Sequence, residues 1–189
     1  SGDYYGFTRG DVLFLMLNVT GYTSTDQSWK ATAATPEGWT LGEEQKSWLH
    51  RQLSRSKAKW KLIFIHHPVG GNAADRSNSS YGRGGGQAAF VGEQAQIHRW
   101  MKEYGVQAFF YGHDHVFTDI PVDGIHYICV GSAGAPWKVD GEASGYTEYL
   151  SNSGYAWVDV NSERLRVEYV TPDPEIAQGK VLRTIDIPA

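Results

Sequence analysis

Two short clusters of histidine carry the chemistry most visible in this chain: Gly112-His113-Asp114-His115 and His66-His67-Pro68. The first follows the apolar, aromatic run Ala108-Phe109-Phe110-Tyr111, and the second follows Leu62-Ile63-Phe64-Ile65. Imidazole is a common ligand for zinc, iron and copper. On extended backbone, residues i and i+2 point to the same side, so His113 and His115 can face one site while Asp114 points away from them. By the same alternation His67 points away from His66, and it is read as supporting a ligand from behind, substrate-facing or structural rather than as a ligand. Asp114 either hydrogen-bonds a ligand imidazole or shapes a turn. Three histidines can hold one zinc with an open position if they converge. His66, His113 and His115 each have a plainer alternative as ordinary strand-end or turn histidines.

Both clusters need strands to deliver them, and the surrounding pattern supplies such elements. Lys61 to Ile65 and Gln107 to Tyr111 read as buried strands, and α/β folds gather functional residues at the carboxyl ends of strands. Val12 to Val19 reads as a further buried strand, with Arg9-Gly10-Asp11 as the start of a strand. A polar loop follows, and then Thr40-Leu41-Gly42-Glu43 has the form of a capping box. The helix behind it places Trp48 or Leu49 and Leu53 on one face and ends near Ser56. Ile97, Trp100, Met101 and Tyr104 form a second helical stripe that stops at Gly105. Ile125 to Val130, Tyr155 to Val160, Leu165 to Val170 and Val181 to Ile187 read as a closing series of strands. No internal repeat or linker is visible, so the expectation is one domain over residues 1–189.

Composition narrows the function classes. The chain has 189 residues, 41% hydrophobic and 20% charged, which suits a folded domain and not a disordered chain. The formal net charge is −4, and Lys and Arg form no runs, so no nucleic-acid patch is expected. The longest apolar runs are too short to cross a bilayer, so no membrane span is expected. The single Cys129 excludes an internal disulfide. The first residues show no secretory pattern, and Ser1-Gly2 suits a cut site. His50, His98 and His126 lie on helix or strand segments without evident partners and read as structural.

Strand-His66-x-Pro68, then helix, then strand-Gly112-His113-x-His115, resembles the late half of the calcineurin-like metallophosphoesterase pattern, most closely its purple-acid-phosphatase-like branch. Leu41-Gly42-Glu43-Glu44-Gln45 with Trp48-Leu49, and Trp60-Lys61-Leu62-Ile63, match further segments. So do Ile125-His126-Tyr127-Ile128 and Val130-Gly131-Ser132-Ala133-Gly134-Ala135-Pro136. Tyr4-Tyr5-Gly6-Phe7 and Val12 to Asn18 are similar to the strand after that family's Gly-Asn-His motif. The family's Asp-x-His, Gly-Asp-x-x-Asp or Tyr, and Gly-Asn-His motifs do not precede position 66. Gly2-Asp3-Tyr4-Tyr5-Gly6 does not supply them, so the chain resembles the C-terminal half of such an enzyme.

The resemblance implies an α/β fold, a metallophosphoesterase-type α/β/β/α sandwich of mixed sheets, represented here by its C-terminal half. It implies a metal-dependent phosphoesterase, expected to act on phosphomonoesters, in which a metal-bound hydroxide at a dinuclear site attacks phosphorus in line. The cofactors would be two divalent or trivalent transition-metal ions, Zn, Fe or Mn. His66 and His113 would serve one ion and His115 the other, with His67 catalytic. In the long loop after Pro68, Arg76, Tyr81 and Arg83 are candidate substrate contacts, since arginine suits bidentate phosphate recognition. The bland alternative for each is a solvated loop. The expected partners are a phosphate-ester substrate and either a complementary N-terminal polypeptide or a second copy of the chain. An extracellular or periplasmic location follows from the resemblance alone. The rival expectation is a catalytically silent metal-binding or interaction fragment of the same fold.

Overall fold

Strand β2 (Val12–Leu17) alternates half-buried and buried positions, with Leu13, Leu15 and Leu17 inside. That period of two gives one face to a core. In the computed structural model, which describes residues 4–18, 41–66, 93–112, 114–132, 134, 146 and 148–189, β2 lies between two unlike neighbours. On one side is the antiparallel β1 (Tyr5–Arg9), exposed at every position. On the other is the parallel β3 (Trp60–Ile65), buried at all positions but Phe64. A strand flanked by parallel partners is covered on both faces and reads as a continuous apolar run, as Leu62-Ile63-Phe64-Ile65 does. Arg9 pairs with Val12, so Gly10 and Asp11 are the turn of a hairpin, with Gly10 at φ 55. The expected start of a strand at Arg9-Gly10-Asp11 is therefore the end of one strand and a turn.

The described residues cluster into two compact units, one of residues 1–111 and 120–128, the other of residues 112–119 and 129–189. The sheet begun by β1 to β3 continues through β4 (Ala108–Tyr111), buried throughout, and the hairpin β5 (Phe117–Val122) and β6 (Ile125–Val130). Its strand order is β1-β2-β3-β4-β6-β5. The hairpin turns on Asp123 (φ 52) and Gly124 (φ 82), the Asp-Gly pair that a tight two-residue turn with positive φ demands. β5 carries Pro121 because it is the edge strand, where a missing N–H costs no ladder bond.

Among the described residues, two helices belong to the first unit. α1 (Gly42–Arg55) buries Gln45, Leu49 and Leu53, and α2 (Glu93–Glu103) buries Gln94, Ala95, Ile97, His98 and Met101. The burial of Leu49 and Leu53 stabilises α1 by roughly 1.5–3 kcal/mol each. Thr40, which would open the expected capping box, lies outside the described residues. Leu41 has no side-chain cap bond, and its N–H donates to Glu93 Oε2 of α2 at 3.0 Å. Glu43 pairs with Lys46 at 2.6 Å. Gly105 ends α2's last turn at φ 67, as the sequence predicts.

His50 and His98 have partners that the sequence did not reveal, and both serve packing. His50 Nε2 lies 3.1 Å from the Tyr104 hydroxyl, joining α1 to the end of α2. His98 Nδ1 lies 2.8 Å from the Tyr127 hydroxyl, and its Nε2 lies 3.3 Å from Asp123, which Lys102 also reaches at 3.0 Å. Among the described residues no helix is long and apolar enough to cross a membrane.

The second unit contains an antiparallel sheet of β7 (Tyr155–Val160), β8 (Arg164–Asp173) and β9 (Ile176–Pro188), in the order β9-β8-β7. Its register aligns Val158 with Val167 and Ile185, and Val160 with Leu165 and Ile187. The alternate row aligns Asp159 with Arg166 and Asp186. One face is therefore apolar and the other charged, as a half-covered antiparallel sheet requires. Tyr169 stacks on Phe117 with ring centres 4.3 Å apart.

Candidate metal centre

The strand register sets where the two histidine motifs leave the sheet. β3 and β4 are parallel neighbours, with Leu62 opposite Ala108, Ile63 opposite Phe109 and Phe64 opposite Phe110. The rings of Phe64 and Phe110 stack at 4.9 Å and 9°. Both strands therefore run out at the same end of the sheet, with His66 following one and Gly112 following the other. His66 is exposed in a bend directly after Ile65. At the end of β2, the fully buried Gln45 of α1 grips the backbone of Asn18. Its Oε1 accepts the Asn18 N–H at 2.9 Å, and its Nε2 donates to the Asn18 carbonyl at 2.7 Å.

The turn that carries His115 belongs to the second unit and is tied down on both sides of that residue. Asp114 is buried, and its Oδ2 accepts the hydroxyl of Tyr146 at 2.7 Å. The Cys129 thiol donates to the Asp114 carbonyl at 3.3 Å. The Gly131 N–H donates to the Val116 carbonyl at 2.9 Å. Burial pushes the Cys129 thiol well above its usual range, and the negative charge of Asp114 adds to this. Cys129 therefore stays a protonated donor and is not a nucleophile. His115 itself is half-buried.

Gly131 has a second neighbour. At φ 79 it takes a backbone conformation that side chains rarely adopt, and a Cβ there would lie 3.0 Å from Cζ and 3.1 Å from Cε2 of Tyr169. The Tyr169 hydroxyl donates to the Asn152 carbonyl, and burial pushes its pKa up to about 12. Ser132 and Ser153 share a hydrogen bond of 2.9 Å beside it.

The expected site residues divide sharply. His66 and His115 are described, in different units. His113, His67, Arg76, Tyr81 and Arg83 lie outside the described residues. Imidazole nitrogens suit zinc and iron, whereas manganese favours oxygen ligands. Among the described residues, however, no three His, Cys, Asp or Glu side chains gather into a metal-holding group. His66 and His115 each offer an imidazole of the kind a transition metal takes, and the described residues supply no complete ligand set. Tyr146, Cys129 and Gln45 escaped the sequence reading because each acts on a residue far off in the chain. Only the strand-Gly-His context hinted that the turn held by Tyr146 and Cys129 was special.

Comparison with known proteins bears on the fold and the family. A family model described as PhoD-like phosphatase matches residues 4–115. Human (Homo sapiens) tartrate-resistant acid phosphatase type 5 is 25% identical over 186 residues, covering 93% of this chain and 52% of that protein. The chain thus spans about half the length of the curated relative it matches. Among solved structures, PhoD superposes with a TM-score of 0.62 at 15% identity, over 94% of this chain and 40% of that one. Purple acid phosphatase PPD1 of yellow lupin (Lupinus luteus) gives 0.61 at 17%, over 98% and 32%. GAP50, described as the anchor in the inner membrane complex of Plasmodium, gives 0.61 at 16%, over 98% and 53%. At these identities the structures show the fold alone, an α/β fold of the metallophosphoesterase type.

Proposed function

The chain belongs to the PhoD-like phosphatase family, and from that premise we propose that it forms part of a metal-dependent phosphoesterase acting on phosphomonoesters. The observation that carries this reading is the pairing of β3 and β4. Two parallel neighbours that end at the same edge, each followed at once by a histidine motif, is an arrangement that serves chemistry at strand ends. The likeness to an acid phosphatase supports the monoester class.

In this reading His66, His113 and His115 supply imidazole ligands to a dinuclear site for two Zn, Fe or Mn ions, whose bound chemistry is neutralising phosphate charge and activating water. The remaining ligands come from a complementary N-terminal piece of the same enzyme. His67, beyond the strand end, faces the substrate and moves a proton at an ester oxygen. Arg76, Tyr81 and Arg83 bind and orient the phosphate group, with the arginine guanidinium groups matching its oxygens. An extracellular or periplasmic location is part of the same proposal.

Hydrolysis of an aryl phosphate monoester and its diester, measured with added Zn, Mn or Fe on the chain with and without its complement, tests the reading. The expected result is metal-dependent turnover of the monoester, abolished by alanine at His66 or His113. Turnover unaffected by those substitutions would refute it. The likeness to GAP50, described as an anchor, favours one rival, a non-catalytic interaction piece. That rival predicts no hydrolysis with any metal or complement.

A further inference from the structure

Three constraints converge on one residue in the second unit. His115 is preceded by a buried carboxylate, Asp114, whose Oδ2 accepts the Tyr146 hydroxyl at 2.7 Å. The carbonyl before His115 accepts the Cys129 thiol at 3.3 Å, and the carbonyl after it, that of Val116, accepts the Gly131 N–H at 2.9 Å. Tyr146 is itself buried. It is separated in sequence from Asp114 by 32 positions. No local turn preference brings the two together, so the bond is a tertiary feature of this fold.

A buried aspartate directly before a half-buried histidine is an expensive choice if it only makes a turn. Asn, Ser or Gly would shape a turn without a carboxylate to satisfy in the interior. The Tyr146 hydroxyl satisfies one oxygen of that carboxylate. With the Asp114 and Val116 carbonyls both bonded, the stretch of backbone that carries His115 is tied at each end. A ligand whose support is ordered in advance loses less conformational freedom on binding. Partners of this kind behind metal ligands are the ones whose loss weakens metal affinity.

We propose that Tyr146, acting through Asp114, is a positioning residue for His115, fixing its imidazole for a transition-metal ion. This rests on the reading of His115 as a ligand. The pair neither touches substrate nor donates to the metal. Its role is to keep the turn at 114–116 in one conformation.

Cobalt(II) titration of the full chain, together with its complement where that is needed for uptake, tests the proposal by the visible d–d absorption, with no assay of turnover. Tyr146→Phe removes only the hydroxyl. It is expected to weaken Co(II) affinity about 10-fold or more and to shift or broaden the bands, while the far-ultraviolet dichroism is retained. Ser153→Ala, which removes a different hydroxyl of the same unit, is expected to leave affinity and spectrum unchanged. Asp114→Asn keeps a carbonyl acceptor for Tyr146 and is expected to hold tighter than Asp114→Ala. That ordering decides the question even if Tyr146→Phe folds poorly.

Wild-type affinity and spectrum in Tyr146→Phe overturn the positioning role while leaving His115 as a ligand. Equal affinities for Asp114→Asn and Asp114→Ala overturn it as well. Co(II) uptake unchanged in His115→Ala overturns the ligand reading beneath it, and the proposal falls with it.

Discussion

Replacing Gly131 by alanine should damage the second unit in two ways that can be separated. The first is local. Gly131 sits at φ 79, and an L-residue held in left-handed backbone costs roughly 1–2 kcal/mol. The second is tertiary. The new Cβ would lie 3.0 Å from Cζ and 3.1 Å from Cε2 of Tyr169, nearer than ordinary contact allows, with the ring hydroxyl closer still. That ring cannot retreat freely, because it is stacked on Phe117 at 4.3 Å and its hydroxyl is bonded to the Asn152 carbonyl. Overpacking of this sort costs about 1–3 kcal/mol.

The sum is about 3 kcal/mol, a large share of the 5–15 kcal/mol that holds a typical domain together. A chain of this length should lose about 6–12 °C in Tm, taking roughly 2–4 °C per kcal/mol. Urea unfolding of the single variants and of Gly131→Ala with Tyr169→Phe measures both parts. Removing the tyrosine hydroxyl removes the nearest clashing atom, so the double variant should be more stable than the sum of the singles by about 1 kcal/mol, a coupling expected only of residues in contact. A loss below about 0.5 kcal/mol for Gly131→Ala, the size of an ordinary surface substitution, or strict additivity in the cycle, refutes the argument. Because the Gly131 N–H also pins the Val116 carbonyl, metal uptake should weaken together with stability.

Two further outcomes follow from the same kind of bookkeeping. Gln45→Leu abolishes both bonds to the Asn18 backbone. It should lower stability by about 1–3 kcal/mol in urea unfolding, with faster amide exchange at residues 17 and 18 and little change in the second unit. In the sheet of the second unit, Arg166 grips Asp186 through two bonds of 2.8 and 3.0 Å, and this holds the Asp186 carboxyl below its ordinary 3.8. A depressed carboxylate pKa stabilises the fold above the ordinary value, and the gain is lost as pH falls through the folded-state pKa. The stability difference between the wild type and Asp186→Asn should thus stay level above about pH 4 and shrink below it. A difference that grows toward acid would contradict the pairing.

The sequence reveals most clearly what depends on periodicity. Leu62 to Ile65 and Ala108 to Tyr111 are apolar because parallel neighbours cover them on both faces, so their strands and the histidines after them can be read directly. β5 is harder to see, because Thr118, Asp119 and Pro121 interrupt its pattern. It is an edge strand, and edges tolerate what interiors refuse. Tertiary partners are harder still to read: the Leu41 N–H is satisfied by Glu93, more than fifty positions away.

The candidate site follows the same division. Spacing on a strand says which histidines share a side, since that is a property of two consecutive peptide units. It says nothing of what fixes the turn that bears them. Asp114 is ambiguous in sequence because a carboxylate between two histidines suits a turn or a ligand partner equally well. The structure shows one of its oxygens accepting a hydroxyl from Tyr146, with thiol and amide donors on the backbone beside it. Those donors come from two separate stretches of the second unit, one at Cys129 to Gly131 and one at Tyr146. Which histidines share a side is thus encoded locally and can be read from the chain. The rigidity of the turn is encoded across the fold, and so it has to be measured through variants such as Tyr146→Phe and Gly131→Ala, which leave every histidine in place.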